Sequence, residues 1–236
     1  MFYKIDCSGN TFIVIRDRED FDVTSYRSIL EDVDGLIILC PSKSATANFI
    51  IYNKDGSRAK MCGNGLIAAT IFFKEIMNSE ELDFRFLTDG GYYRTKANED
   101  GTYSVYFDKP KIIFSSSTTG MVDSKNMHLI KIVDSINPSS MIDMQKVLDG
   151  PINIHELQKS IDDVYLMVSL ENGVGFTKSC GTGCISCFAY LRHLNCCGTR
   201  VLFKTMGGMI EVKEEDNEYV LRGSGKIVYS GELYNE

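Results

Sequence analysis

The sequence is short of positive charge: 25 lysines and arginines stand against 32 aspartates and glutamates, a formal net charge of -7. No window gathers the basic residues on one predicted face, as a phosphate-tracking surface requires, so nucleic acid is not an expected partner. No segment approaches the ~20 apolar residues of a membrane-spanning helix, so no membrane partner is expected either. The first residues, MFYKIDCSGN, lack the basic stretch and apolar run of an export signal, and the expected location is therefore the cytoplasm. Histidine is scarce, three residues in all, and none has paired ligand spacing with the cysteines of a zinc site.

What is present is an ordinary globular composition, 44% hydrophobic, with eight cysteines. In a reducing compartment these are thiols and not a disulfide scaffold. Cys7, Cys40, Cys187, Cys196 and Cys197 read as small apolar side chains or incidental surface thiols. Cys62 and Cys180 differ from them because of their neighbours.

Short β-rich runs dominate the chain: FIVI at 12–15, LIILC at 36–40, NFIIY at 48–52, FRFL at 84–87, YSVYF at 103–107 and KIIF at 111–114. They resume with HLIKIV at 128–133, VYLMVSL at 164–170, VLFK at 201–204, MIEV at 209–212 and KIVYS at 226–230. Turn-forming DGS, DGG, EDG and ENG separate many of them. Two stretches carry a helical pattern, 65–77 (GLIAATIFFKEIM) and 183–194 (GCISCFAYLRHL). Both are apolar round most of the circumference, which predicts helices buried inside a surround of strands. Each opens on C-G-x-G, as CGNG at 62–65 and CGTG at 180–183, and the offset, 180 minus 62, is 118 residues, half the chain. The expected fold is α+β: two pseudo-symmetric lobes, each a curved, mostly antiparallel sheet or barrel round a central helix. The lobes are expected to span 1–115 and 116–236, with the boundary between Ser115 and Pro151 approximate and the chain end free to return to the first lobe.

A helix start is a natural place for an anion, because its first N–H groups are unpaired and the macrodipole is positive there. A cysteine at that position tends towards a lowered pKa, and the glycines let a substrate carboxylate approach the bare backbone. Inverting an α-carbon needs a base on one face and an acid on the other. Two C-G-x-G motifs on duplicated lobes supply two thiols and two anion cradles for one amino acid. A single C-G-x-G is more often a plain helix-start turn; its repetition favours the chemical reading.

The segments GNTFIV at 9–14, DGSRAKMCGNG at 55–65 and ENGVGFTKSCGTG at 171–183 resemble the signature regions of diaminopimelate epimerases. Further matches run through TDGG at 88–91, KNMH at 125–128, INI at 152–154, GG at 207–208 and SGEL at 230–233, so the resemblance covers nearly the whole chain. It implies an amino-acid epimerase or racemase that uses no cofactor, neither pyridoxal phosphate nor a metal. Carried over by position, Cys62 and Cys180 match the family's acid/base pair. Gly63 with Asn64, and Gly181 with Thr182, match its carboxylate cradle, and Asn10, Asn64, Asn126 and Asn153 match asparagines that hold the substrate. His128 and Glu171 match groups placed beside the reacting α-amino group.

Two positions depart from the family pattern. Asn172 stands where the family has an arginine suited to the distal carboxylate of diaminopimelate, and Ile67 stands two places after CGNG where the family has arginine. The first bears on substrate, leaving open diaminopimelate or another polar amino acid such as histidine; the second bears on support of the helix. Two rival classes remain. Cys180, Cys184 and Cys187 have the C-x3-C-x2-C spacing of a radical S-adenosylmethionine cluster loop, although those positions also fit one face of a helix. A catalytically silent binding protein on the same scaffold is the other. A small-molecule amino acid is the expected partner, and a homodimer is left open.

Overall fold

A computed structural model describes residues 1–17, 30 and 32–232; Leu233, the last residue of the SGEL match, lies outside them. The chain forms two compact units, Met1–Tyr106 with Gly223–Glu236, and Phe107–Arg222. No helix among the described residues is long and apolar enough to cross a membrane.

The first unit contains β1 (Phe2–Cys7), β2 (Asn10–Arg16), β3 (Gly35–Cys40), β4 (Ala47–Asn53), the short β5 (Arg58–Ala59), α1 (Gly63–Ile71), β6 (Asp83–Thr88), β7 (Gly91–Ala97) and most of β8 (Tyr103–Phe107). The second contains β9 (Lys111–Ser115), β10 (Thr119–Asp123), β11 (Met127–Ile132), α2 (Pro138–Val147), β12 (Ile152–Lys159), β13 (Val164–Glu171), β14 (Gly175–Thr177), α3 (Gly181–His193), β15 (Arg200–Thr205), β16 (Gly208–Glu215) and most of β17 (Glu218–Gly223). The last strand, β18 (Gly225–Gly231), returns to the first unit and pairs antiparallel with β1.

The two units repeat one wiring. In the first, β1 and β2 pair antiparallel, β2 and β3 parallel, β3 and β4 antiparallel, β4 and β6 parallel, and β6, β7 and β8 antiparallel. In the second, β10 and β11 pair antiparallel, β11 and β12 parallel, β12 and β13 antiparallel, β13 and β15 parallel, and β15, β16 and β17 antiparallel. The short β5 and β14 close a hairpin on β4 and β13 just before each helix.

Each sheet curls round its helix. Every residue of α1 is buried, and the helix touches β1, β2, β3, β7 and β18. Residues 181–191 of α3 are buried likewise, against β9, β10, β11, β12 and β16. Helices apolar all round belong in such a core, as their sequences require. The other face of the first sheet closes over Ile13, Ile15, Leu36 and Ile38 with Leu30 and Val33. In the second unit the corresponding layer is Leu129, Ile154 and Leu170 under Met141 of α2.

The first predicted helix is α-helical only to Ile71 and widens to a π turn over Phe72–Ile76. There consecutive aromatics turn inward, Phe72 against Tyr3 and Phe73 against Phe86. The helix α2 carries no strong apolar stripe; Asn137 caps it by accepting from the Ser140 N–H, and Pro138 opens it.

Candidate active site

In the first unit the chain leaves β4 through a tight turn in which Asp55 Oδ1 accepts from the Ser57 N–H at 2.9 Å and Gly56 takes φ +85°. It returns along β5 and enters α1 at Cys62, whose extended backbone makes it the N-cap. The Cys62 sulfur accepts from the Gly65 backbone N–H at 3.4 Å. That is the bond a thiolate would make, since an unpaired helix N–H stabilises negative charge. Gly65 is needed for close approach: a Cβ there would stand 3.1 Å from Phe49 Cζ, 3.2 Å from Cys62 Cβ and 3.3 Å from Ile37 Cδ1. Gly63 and Asn64, the matched cradle, are buried in the first turn. Asn10 opens β2 opposite Cys7, and its side-chain oxygen is buried without a hydrogen-bond partner among the described residues.

In the second unit β13 ends on Glu171, the hairpin turns through Asn172 and Gly173, and the chain passes β14 into α3 at Cys180, again an extended N-cap. Here the sulfur donates, to Glu171 Oε2 at 3.2 Å. The other oxygen of Glu171 accepts from the Thr177 hydroxyl at 2.5 Å, and the Thr182 hydroxyl lies 3.7 Å from the Cys180 sulfur. Burial, followed by the neighbouring Glu171 carboxylate, holds the Cys180 thiol well above its ordinary pKa, although the Gly183 N–H and the Thr182 hydroxyl pull the other way. The helix start alone argued for a lowered pKa. At Cys180 desolvation and the carboxylate outweigh the helix start, and the resting group is a thiol.

Asn153 joins this cluster by accepting from the Asn172 N–H at 3.0 Å. Gly181 and Thr182 are buried in the first turn of α3. Asn126 sits exposed in the turn before β11, where its carbonyl accepts from the Ser124 N–H. His128 is wholly buried on β11; its Nδ1 is 2.8 Å from Nε2 of His155, whose own Nδ1 is 2.9 Å from the Ser169 hydroxyl. His128 Nε2 is buried with no hydrogen-bond partner among the described residues.

Sequence reasoning missed Thr177, His155 and Ser169. Thr177 lies inside the quoted ENGVGFTKSCGTG segment, two residues before the cysteine turn, and was readable as an acidic-residue partner. His155 and Ser169 carry no motif, and their only signal is a polar residue in a strand position that the duplication makes apolar in the other unit.

The two departures have structural consequences. Ile67 is buried, and its Cδ1 would lie 3.1 Å from a Cβ on Gly223, so apolar packing occupies the place where a charge would need partners. Arg58, a cation that could otherwise meet a distal carboxylate in place of an arginine at 172, is clamped by both oxygens of Asp89 at 2.6 and 2.8 Å. Lys178 leaves the same hairpin as Asn172 and is exposed, as is Lys125. Cys184 and Cys187 lie buried within α3, where Cys184 packs on the Met167 sulfur at 3.6 Å.

A family model described as diaminopimelate epimerase matches residues 2–113. The chain is 32% identical over 207 residues to a diaminopimelate epimerase of Campylobacter jejuni subsp. doylei, with 82% of each chain covered. It is 25% identical to the diaminopimelate epimerase of Methanococcus aeolicus, over 99% of this chain and 98% of that one. Among solved structures, a predicted epimerase from Pseudomonas aeruginosa superposes with a TM-score of 0.78 at 12% identity, covering 100% of this chain and 99% of that one. At that identity the likeness concerns the fold alone.

Proposed function

The chain belongs to the diaminopimelate epimerase family and is an isomerase of the epimerase and racemase kind, and on that premise we propose that it inverts an amino-acid α-carbon with Cys62 and Cys180 as the acid/base pair. The observation that carries this reading is a pair of equivalent cysteines, each the extended N-cap of a buried helix. Each sulfur faces the N–H of the motif's second glycine, and Cys180 in addition donates to a carboxylate, as an acid does.

In one direction the Cys62 thiolate takes the α-proton and becomes a thiol. The electron pair left on carbon delocalises into the α-carboxylate, held by N–H groups at the helix starts of Gly63–Asn64 and Gly181–Thr182. The Cys180 S–H then delivers its proton to the opposite face and becomes a thiolate, next to Glu171, which can take up or return a proton between turnovers. The reverse reaction exchanges the roles. Asn10, Asn126 and Asn153 hold the polar parts of the substrate. No step requires a redox change or an electron sink outside the substrate itself.

The substrate we favour is diaminopimelate, on the retained asparagines at 10, 64, 126 and 153; this would place the enzyme in the supply of a lysine and cell-wall precursor. Asn172 can hydrogen-bond a distal carboxylate but cannot neutralise it, and losing such a charge-assisted contact weakens recognition by roughly ten- to a hundredfold unless another cation serves. With Arg58 engaged by Asp89, Lys178 on the same hairpin is the candidate replacement. The test is kcat/KM for LL-diaminopimelate, L-histidine and L-lysine with the native chain and an Asn172→Arg variant. Preference for diaminopimelate, raised in the variant, supports the assignment. Turnover of another amino acid in its place transfers the reaction to that substrate, and no α-hydrogen exchange with any of them removes the enzymatic reading.

A further inference from the structure

Each hairpin that leads into a cysteine helix uses a hydroxyl on its returning arm to catch the side chain that ends its outgoing strand, and the two units place that hydroxyl differently. Asn53, Ser57 and Ala59 stand 118 residues before Glu171, Gly175 and Thr177, as Cys62 stands before Cys180. The pairings agree with that offset: Ile51 faces Ala59 across β4 and β5, and Ser169 faces Thr177 across β13 and β14.

In the first unit the Asn53 amide donates to the Ser57 hydroxyl at 2.9 Å, so this side chain is held back over its own turn. In the second unit Gly175 has no side chain to offer at that place. It also takes φ +94°, a conformation that favours glycine over serine. Glu171 instead reaches two residues further along the returning strand. There its Oε1 accepts from the Thr177 hydroxyl at 2.5 Å, and its Oε2 accepts from the Cys180 sulfur at 3.2 Å. Register makes the reach possible: Glu171 pairs with Gly175, so Thr177 is its diagonal neighbour on the same face of the hairpin. Moving the hydroxyl from the place of Ser57 to that of Thr177 turns the end of the strand from its own hairpin towards the cysteine.

The contact matters because Glu171 is only half-buried and its side chain is long and flexible. A carboxylate so placed can swing to water unless something holds it. Thr177 engages one oxygen and thereby directs the other to the sulfur. A hydroxyl suits this task in both protonation states of its partner, since it donates to a carboxylate and accepts from a carboxylic acid. Valine would fill the same volume and do neither.

We propose that Thr177 is a positioning residue whose hydroxyl fixes Glu171 across the hairpin, so that the second carboxylate oxygen stays on the Cys180 sulfur while a proton is given up and regained there. This rests on the epimerase reading. The proton moves between Glu171 Oε2 and Cys180 Sγ, and Thr177 keeps its own. With the contact in place the proton returns along a hydrogen bond already formed; without it Glu171 must first find the sulfur again. The loss therefore falls on turnover more than on substrate binding.

Thr177→Val, Thr177→Ser and the double variant Glu171→Gln with Thr177→Val test this, by kinetics and by the rate of Cys180 alkylation at pH 8 read by peptide mass spectrometry. Thr177→Val should lower kcat by about tenfold with KM little changed. It should also speed Cys180 alkylation at least about threefold, because a sulfur without its carboxylate neighbour ionises more readily. Thr177→Ser, which keeps the hydroxyl, should restore both. In the Glu171→Gln background Thr177→Val should change either readout by less than about twofold, since the two residues act as one unit. Mere loosening of the hairpin would instead add its effect in both backgrounds. Should Thr177→Val fail to fold, Thr177→Ala gives the same comparison. Native kinetics and native alkylation in Thr177→Val, a Thr177→Ser variant as impaired as Thr177→Val, or independent effects in the double variant would overturn the proposal. Faster alkylation that depends on Glu171, in a protein without α-hydrogen exchange, would retire the epimerase reading and leave the positioning of Glu171 standing; an active enzyme in which Thr177→Val changes nothing would do the reverse.

Discussion

The CGNG loop of the first unit and the CGTG loop of the second differ by one letter, yet the sulfur of the second donates to a carboxylate as well as facing its helix N–H. Both cysteines are extended N-caps, and both helices run into the core of a sheet with the same strand wiring. Cys62 accepts from the Gly65 N–H, Cys180 donates to Glu171, and the side chain that a Cβ on the motif's second glycine would meet includes Ile37 in one and His155 in the other. The motif therefore fixes where each sulfur sits, and at Cys180 burial and the carboxylate at the end of β13 raise the thiol pKa.

The largest effect expected from breaking this pair is that of Cys62→Ser and Cys180→Ser. Each removes the proton carrier of one face, and each should lower inversion by at least ~100-fold while the protein stays folded, because general acid/base groups contribute on that scale. Near-normal turnover in either variant, measured by polarimetry or coupled assay, would leave the two cysteines without their assigned roles.

Glu171→Gln sharpens the comparison, since it removes the carboxylate that marks Cys180 as the acid. The amide can donate as well as accept, so the preference for a protonated sulfur should weaken and thiol alkylation at Cys180 should accelerate, with inversion falling by about tenfold or more. Unchanged Cys180 reactivity, read by peptide mass spectrometry after labelling, would show that burial alone sets its state.

A smaller effect concerns stability. His128 and His155 are held neutral by burial, while in the unfolded chain they protonate near the usual value of 6.5. Protons thus favour the unfolded chain: the stability is complete above pH 6.5 and declines as pH falls towards the folded value, about 3 for His128. Urea unfolding should show a loss of up to about 1.4 kcal/mol per pH unit for each such ring below pH 6. Replacing these rings and the Ser169 bonded to them with apolar residues, as His128→Phe, His155→Ile and Ser169→Ile, should flatten that dependence between pH 6.5 and 5. A native protein equally stable at pH 7 and pH 5 would contradict the burial of neutral rings.

Much of the fold was legible because it was written twice. Every strand read from an apolar run overlaps an observed strand, HLIKIV alone running one residue past the end of its own, and both C-G-x-G motifs open buried helices at the residues named. The strands that were missed, such as β1, β7 and β10, mix polar and apolar residues and take their place from partners distant in sequence. The helix α2 was missed because it buries little beyond Met141, so its evidence lay in the cap, Asn137 before Pro138, and not in periodicity. At the site, motif letters pointed to Cys62, Cys180 and Glu171, and the structure bonds the last two together. They could not assign protonation, because the raised pKa of Cys180 comes from burial and from a carboxylate nine residues away. Nor could they find His155, whose meaning depends on the register that sets it against Ser169 and Gly183.

The claim that two thiols divide one proton transfer is tested most directly by running the reaction in deuterium oxide from a single epimer and stopping it in the first turnovers. A cysteine that has taken the substrate's proton holds that single proton, while the opposite cysteine delivers one drawn from solvent. The account predicts that newly formed product carries deuterium at the α-carbon and that unreacted substrate keeps its original hydrogen. Product that retains the substrate's own hydrogen, or deuterium entering both epimers at equal rates from the start, would contradict it.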